Sequence, residues 1–137
     1  FGKNERLLLN RKLLLYEWKT TVKPFASLNS GNILTISIKK AGKQCFGAIR
    51  WSGSVSGTSA TLTDFTIPDA FCPLKTEFYS TNLISAGKIL GSLRFDVSSL
   101  GKITYVTDQE GFVERHISFS YISNNFIPDE KYLIVNL

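Results

Sequence analysis

The feature that most restricts what this chain can fold into is a two-residue hydrophobic period that recurs between closely spaced turns. Leu34, Ile36 and Ile38 alternate with Thr35, Ser37 and Lys39, which puts apolar side chains on one face of an extended strand and polar ones on the other. The same period returns in Leu93, Phe95 and Val97, in Ile103 and Tyr105, and in Ile117, Phe119 and Tyr121. Turn chemistry separates these runs: Lys40-Ala-Gly42-Lys43, Ser85-Ala-Gly87, residues 98–101 and residues 107–111. Seven to nine short strands at roughly ten-residue spacing, with no helical period after residue 18, predict an all-β chain folded as an antiparallel β-sandwich or jelly-roll-like barrel.

A chain of 137 residues is long enough for one core. With 43% hydrophobic and 20% charged residues it has the composition of a globular protein rather than a disordered one. It has no uncharged apolar stretch of membrane-spanning length, so membrane insertion is not expected. It begins at Phe1 and contains no Met, which reads as a cut from something longer. The net charge of +5 favours anionic partners at long range. The basic residues are scattered, with no run longer than two, which argues against a nucleic-acid-binding stripe.

Residues 1–24 read as a neck or linker, or as a first strand at an oligomer interface, ahead of a β-sandwich head over 25–137. The leucine triplets at 7–9 and 13–15 fit neither a helical nor a strand period. They place side chains on every face, which either an oligomer interface or a strand buried on both sides would cover. The return strand over 44–52 puts Cys45, Gly47, Ile49 and Trp51 on one face and Phe46, Ala48 and Arg50 on the other. In residues 64–78, Pro68 and Pro73 supply no backbone donor and predict strand, sharp corner, strand, with Phe65, Ile67, Phe71 and Phe78 in the core. Cys45 and Cys72 lack metal-site spacing and read as two separate buried thiols, and neither a metal nor a cofactor is expected.

The order of pieces resembles the C-terminal head domain of bacteriophage tail-fibre and receptor-binding proteins of phages that infect Gram-positive bacteria. The matching pieces are Ser-Leu-Asn-Ser-Gly at 27–31, Lys-Lys-x-Gly-Lys at 39–43 leading to Gly-x-Ile at 47–49, and Thr-Ile-Pro-Asp-Ala-Phe-x-Pro at 66–73. A Gly-x-Ile-like turn at 101–103 and Ile-Ser-Phe-Ser-Tyr-Ile at 117–122 follow. The resemblance covers about residues 25–123 and implies a homotrimer at a phage tail tip or baseplate, acting at the host cell surface. In that setting the partners would be a host cell-wall saccharide or anionic wall polymer and other tail or baseplate proteins.

Catalysis finds little support in the sequence. His116 is the one histidine, no nucleophile elbow is present, and Asp108 and Glu110 fall in a glycine-containing turn rather than facing a groove. Saccharide binding needs an aromatic platform with polar groups beside it. Trp51 at a strand end and Tyr79 after the corner are the candidates, although each also fits a core or interface role. Arg115 and His116 are candidates for an anionic group. The expected function is adhesion to host saccharide without catalysis, and the alternative is a structural baseplate or collar component.

Overall fold

The computed structural model describes residues 14–22, 33–55, 59–63, 65–85, 87–108 and 111–135. The triplet at 7–9, the motif at 27–31, Asp64 and Glu110 lie outside the described residues. Nine strands occur among them: β1 Leu15–Val22, β2 Ile33–Ala41, β3 Gln44–Val55, β4 Ser59–Thr61, β5 Glu77–Ser85, β6 Lys88–Val97, β7 Ile103–Thr107, β8 Gly111–Ile122 and β9 Leu133–Val135. They form a five-stranded sheet, ordered β8-β3-β2-β1-β9, and a four-stranded sheet, ordered β4-β7-β6-β5. Every strand pairing is antiparallel. The two sheets enclose one core, as the alternation predicts. Within 1–24 the described residues, 14–22, include β1, which has β2 and β9 on either side.

Burial follows the two-residue period. Leu34, Ile36 and Ile38 on β2 are fully buried, as are Leu93, Phe95 and Val97 on β6. Trp51 sits between the sheets, its ring 5.4 Å from Tyr105 and 6.0 Å from Phe95, centroid to centroid. Tilted aromatic contacts at these separations add to the large apolar area such rings bury. The β2–β3 hairpin turns at Gly42 and Lys43, and Gly42 takes a φ of 62°, a left-handed conformation that glycine adopts without a steric penalty.

The double-proline segment links the two sheets. It first runs beside β7, where the Leu62 amide donates to the Ile103 carbonyl at 2.8 Å and the Ile67 amide to that of Gly101 at 2.9 Å. Gly101 must remain a glycine, because a β-carbon there would come within 2.5 Å of the Ile67 carbonyl oxygen. After Pro68 the chain makes one turn of 3-10 helix, Asp69–Phe71, which buries Phe71. Pro73 then bridges to Ser123 at the end of β8, and β5 begins at Glu77. The corner therefore leaves the four-stranded sheet, touches the five-stranded one and returns.

One core expectation is corrected. Phe78 is 59% exposed. On β5 it pairs with Asp96 while Tyr79 pairs with Phe95, so the strand's parity turns Phe78 to the outer face, where the Arg94 guanidinium lies 5.1 Å from its ring centroid. Ile67 and Phe71 are fully buried, and Phe65 is half-buried with its ring 6.0 Å from that of Trp18.

Candidate binding site

At the hairpin end of the sandwich two segments are joined side by side. Ser123, just past β8, donates its amide and its hydroxyl to the Lys43 carbonyl at 2.7 and 3.0 Å. From there the chain crosses residues 124–129 to a second 3-10 turn, Glu130–Tyr132, capped by the Asp129 side chain, and enters β9. Between hairpin and crossing segment lies a cleft of about 320 Å³, lined by Tyr16, Gly42, Lys43 and residues 125–128. Its walls mix polar and apolar groups: Lys43 brings a cation, Asn125 an amide, and Phe126, 62% exposed, an accessible aromatic ring.

Behind the cleft lies the least expected side chain of the fold. Lys40 continues the inward parity of Leu34, Ile36 and Ile38 and is only 1% exposed. Its ammonium donates to the carbonyls of Ala70 (2.5 Å), Phe126 (2.8 Å) and Asn124 (3.1 Å), and to the Asn124 side-chain oxygen (3.3 Å). The corner and the crossing segment thus meet on one cation. Asn124 strengthens the junction by donating its side-chain amide to the Asp69 carbonyl at 2.7 Å and accepting from the Phe126 amide at 3.0 Å. The Tyr121 hydroxyl donates to the Phe71 carbonyl, and the Phe71 ring meets Tyr132 edge-on at 5.4 Å.

The electrostatics follow from burial. Desolvation lowers the Lys40 pKa, because a buried ammonium loses its water. The same cause raises the thiols: Cys45 goes up, and Cys72 is pushed up to about 11, with the nearby Asp69 adding to the effect. Both cysteines are free and buried, as the sequence predicts. As protonated thiols at neutral pH they are poor nucleophiles.

The residues proposed from sequence do not converge. Trp51 is 1% exposed and belongs to the core, so the expected platform offers no ring face to a ligand. Tyr79 is half-buried, its hydroxyl donating to the Ser120 carbonyl at 3.0 Å and its ring 5.3 Å from Phe119. Burial, with Glu77 nearby, pushes its pKa up to about 12. It seals the seam where β5 packs against β8. His116 is exposed on β8 opposite Arg50, which shares that outer face. Arg115 pairs in register with Trp51, and its side chain lies outside the described residues. Asp108 accepts the Ser92 amide at 2.9 Å, bracing the sheet end. Among the described residues no group of three or more His, Cys, Asp or Glu is placed to hold a metal.

Sequence reasoning passed over Lys40, Lys43, Asn125 and Phe126. Lys40 had a usable signal, since the inward alternation of β2 reaches it unbroken, whereas a Lys-x-Gly-Lys run reads more readily as an exposed turn. No protein-family model matches this sequence, and no curated protein matches it.

Proposed function

We propose that this chain is a non-enzymatic adhesion module, the head of a phage-type receptor-binding protein that binds saccharide on a host cell surface as a homotrimer. The observation that carries the reading is the cleft. Its volume, about 320 Å³, falls at the lower end of ordinary small-ligand sites, and it combines an accessible aromatic ring with an amide and a cation. A sugar presents an apolar face for such a ring and hydroxyls for the polar groups. Single sugar contacts are weak, and three linked copies would raise the effective strength without any new contact. The net charge of +5 assists approach to anionic wall polymers.

Glycan-array binding of the purified protein, compared with Phe126→Ala and Asn125→Ala, tests the site, and sedimentation tests the trimer. Retained glycan binding in both variants would move the site elsewhere. A monomer that neither binds the array nor pulls down with host cell wall would end the reading.

A second reading, a structural baseplate component, draws on a different surface. Phe46 (39% exposed) and Ile122 (51%) lie two register positions apart on the outer face of β3 and β8, and Leu74 (64%), whose amide donates to the Ile122 carbonyl, adjoins them. Exposed apolar side chains that cluster in this way suit docking to another virion protein. Loss of assembly with tail proteins in Phe46→Ser or Ile122→Ser, with glycan binding absent from the wild type, would favour it.

A further inference from the structure

Burying an ammonium is costly unless its protons are matched, and the groups that match Lys40 are unusual in kind. All four acceptors are neutral oxygens, three of them backbone carbonyls. They come from two segments, 30 and 84 to 86 residues from Lys40 in sequence. A set of neutral oxygens gathered from separate loops is the kind of cage that otherwise holds a monovalent cation. A methionine would fill the same space without the desolvation cost, but it could not orient a carbonyl. Two of the four acceptors belong to Asn124 and one to Phe126, and residues 125–128 form a wall of the cleft. The same Asn124 oxygen that takes a Lys40 proton also receives the Phe126 amide.

We infer that Lys40 is the positioning residue of the cleft, a built-in cation that holds the wall at 124–126 against the corner so that the cleft is formed before any ligand arrives. Its importance for recognition rests on the proposed binding role of the cleft, whereas its effect on the wall does not.

The test removes the cation and then returns it. Lys40→Ala deletes the side chain beyond the β-carbon, and n-propylammonium replaces what was lost. The readout is amide hydrogen exchange at Phe126, with the amides of Ile36 and Ile49 in the sheet as references. Lys40→Ala is expected to speed exchange at Phe126 by tenfold or more while the references hold, and propylammonium chloride is expected to restore protection. Neutral n-propanol, of the same length, should not. Should Lys40→Ala fail to fold, Lys40→Met keeps the stem, and the same local loss at Phe126 is expected without rescue. Unchanged exchange at Phe126, acceleration spread evenly over the sheet, or equal rescue by propanol would each overturn the inference. Because exchange is read without a saccharide, a negative glycan array would count against the adhesion reading alone.

Discussion

Trp51 and Lys40 occupy equivalent settings, inward positions on adjacent strands of one sheet, and are stabilised by opposite means. Around Trp51 the contacts are aromatic and apolar, to Phe95 and Tyr105. Around Lys40 they are directional hydrogen bonds to carbonyls contributed by loops. Apolar packing has no preferred direction and tolerates replacement when volume is kept. A cage of carbonyls requires a donor of the right charge at one point. The middle of the sandwich therefore serves stability, while its hairpin end can shape a cleft, since only oriented partners fix where a loop lies.

Breaking the apolar member should give the largest effect. Trp51→Ala is expected to destabilise the whole domain by about 3–5 kcal/mol, as large-to-small core changes to alanine do. Denaturant unfolding would show it as a shifted midpoint, and a change under 1 kcal/mol would mean that the core is not organised around this ring.

Titration at the hairpin end comes next. Cys72 has its pKa raised from 9.0 to about 11, so in the unfolded chain the thiol ionises first. Its stabilising contribution is complete below pH 9 and is lost as pH rises through 11. A shift of this size corresponds to about 3 kcal/mol. Lys40 works in the opposite sense: its lowered pKa means that stability is regained as pH climbs from that value towards 10.5. Unfolding free energies measured from pH 8 to 11 should therefore fall less steeply in Cys72→Ser than in the wild type, and more steeply in Lys40→Met. Parallel profiles for all three proteins would refute the assignment.

A smaller effect sharpens the same contrast. Tyr121→Phe keeps the ring, stacked 5.9 Å from Phe119, and removes only the hydroxyl that donates to the Phe71 carbonyl. The expected loss is about 1 kcal/mol, the ordinary net value of one hydrogen bond. Thermal unfolding would resolve it, and a loss as large as that of Trp51→Ala would erase the distinction between packed and hydrogen-bonded regions. Smallest of all, Phe78→Ser on the outer face forfeits little beyond the Arg94 contact, about 0.5–1 kcal/mol at an exposed site. A larger penalty would show that this ring is covered by another chain.

Much of the scaffold is legible in the sequence. The β2–β3 hairpin, the faces of β3 and the turns at Gly42, Gly87 and Gly101 follow from side-chain parity and turn chemistry, both of which act over a few residues. The corner at 64–78 was visible as a double-proline break, but its partners were not. Phe78 was misplaced because a phenylalanine beside a corner reads as core until the register of β5 against β6 is known. Trp51 shows the converse: the sequence left it between a binding platform at a strand end and a core role, and β3, which continues to Val55, carries the ring inside.

The antiparallel β architecture and the inward set on each strand are legible in the residues, because a period of two is written locally and burial has to respect it. Tertiary structure settles whether that alternation runs on through a lysine at the strand end, and what meets the lysine there. Lys39 and Lys40 differ by one step of parity at a strand end: Lys39 pairs with Glu17 on the outer face, and Lys40 turns into the core. An ammonium can remain inside only where oxygens from Ala70, Asn124 and Phe126 converge on it. Those residues lie far from it along the chain, and folding alone brings them together.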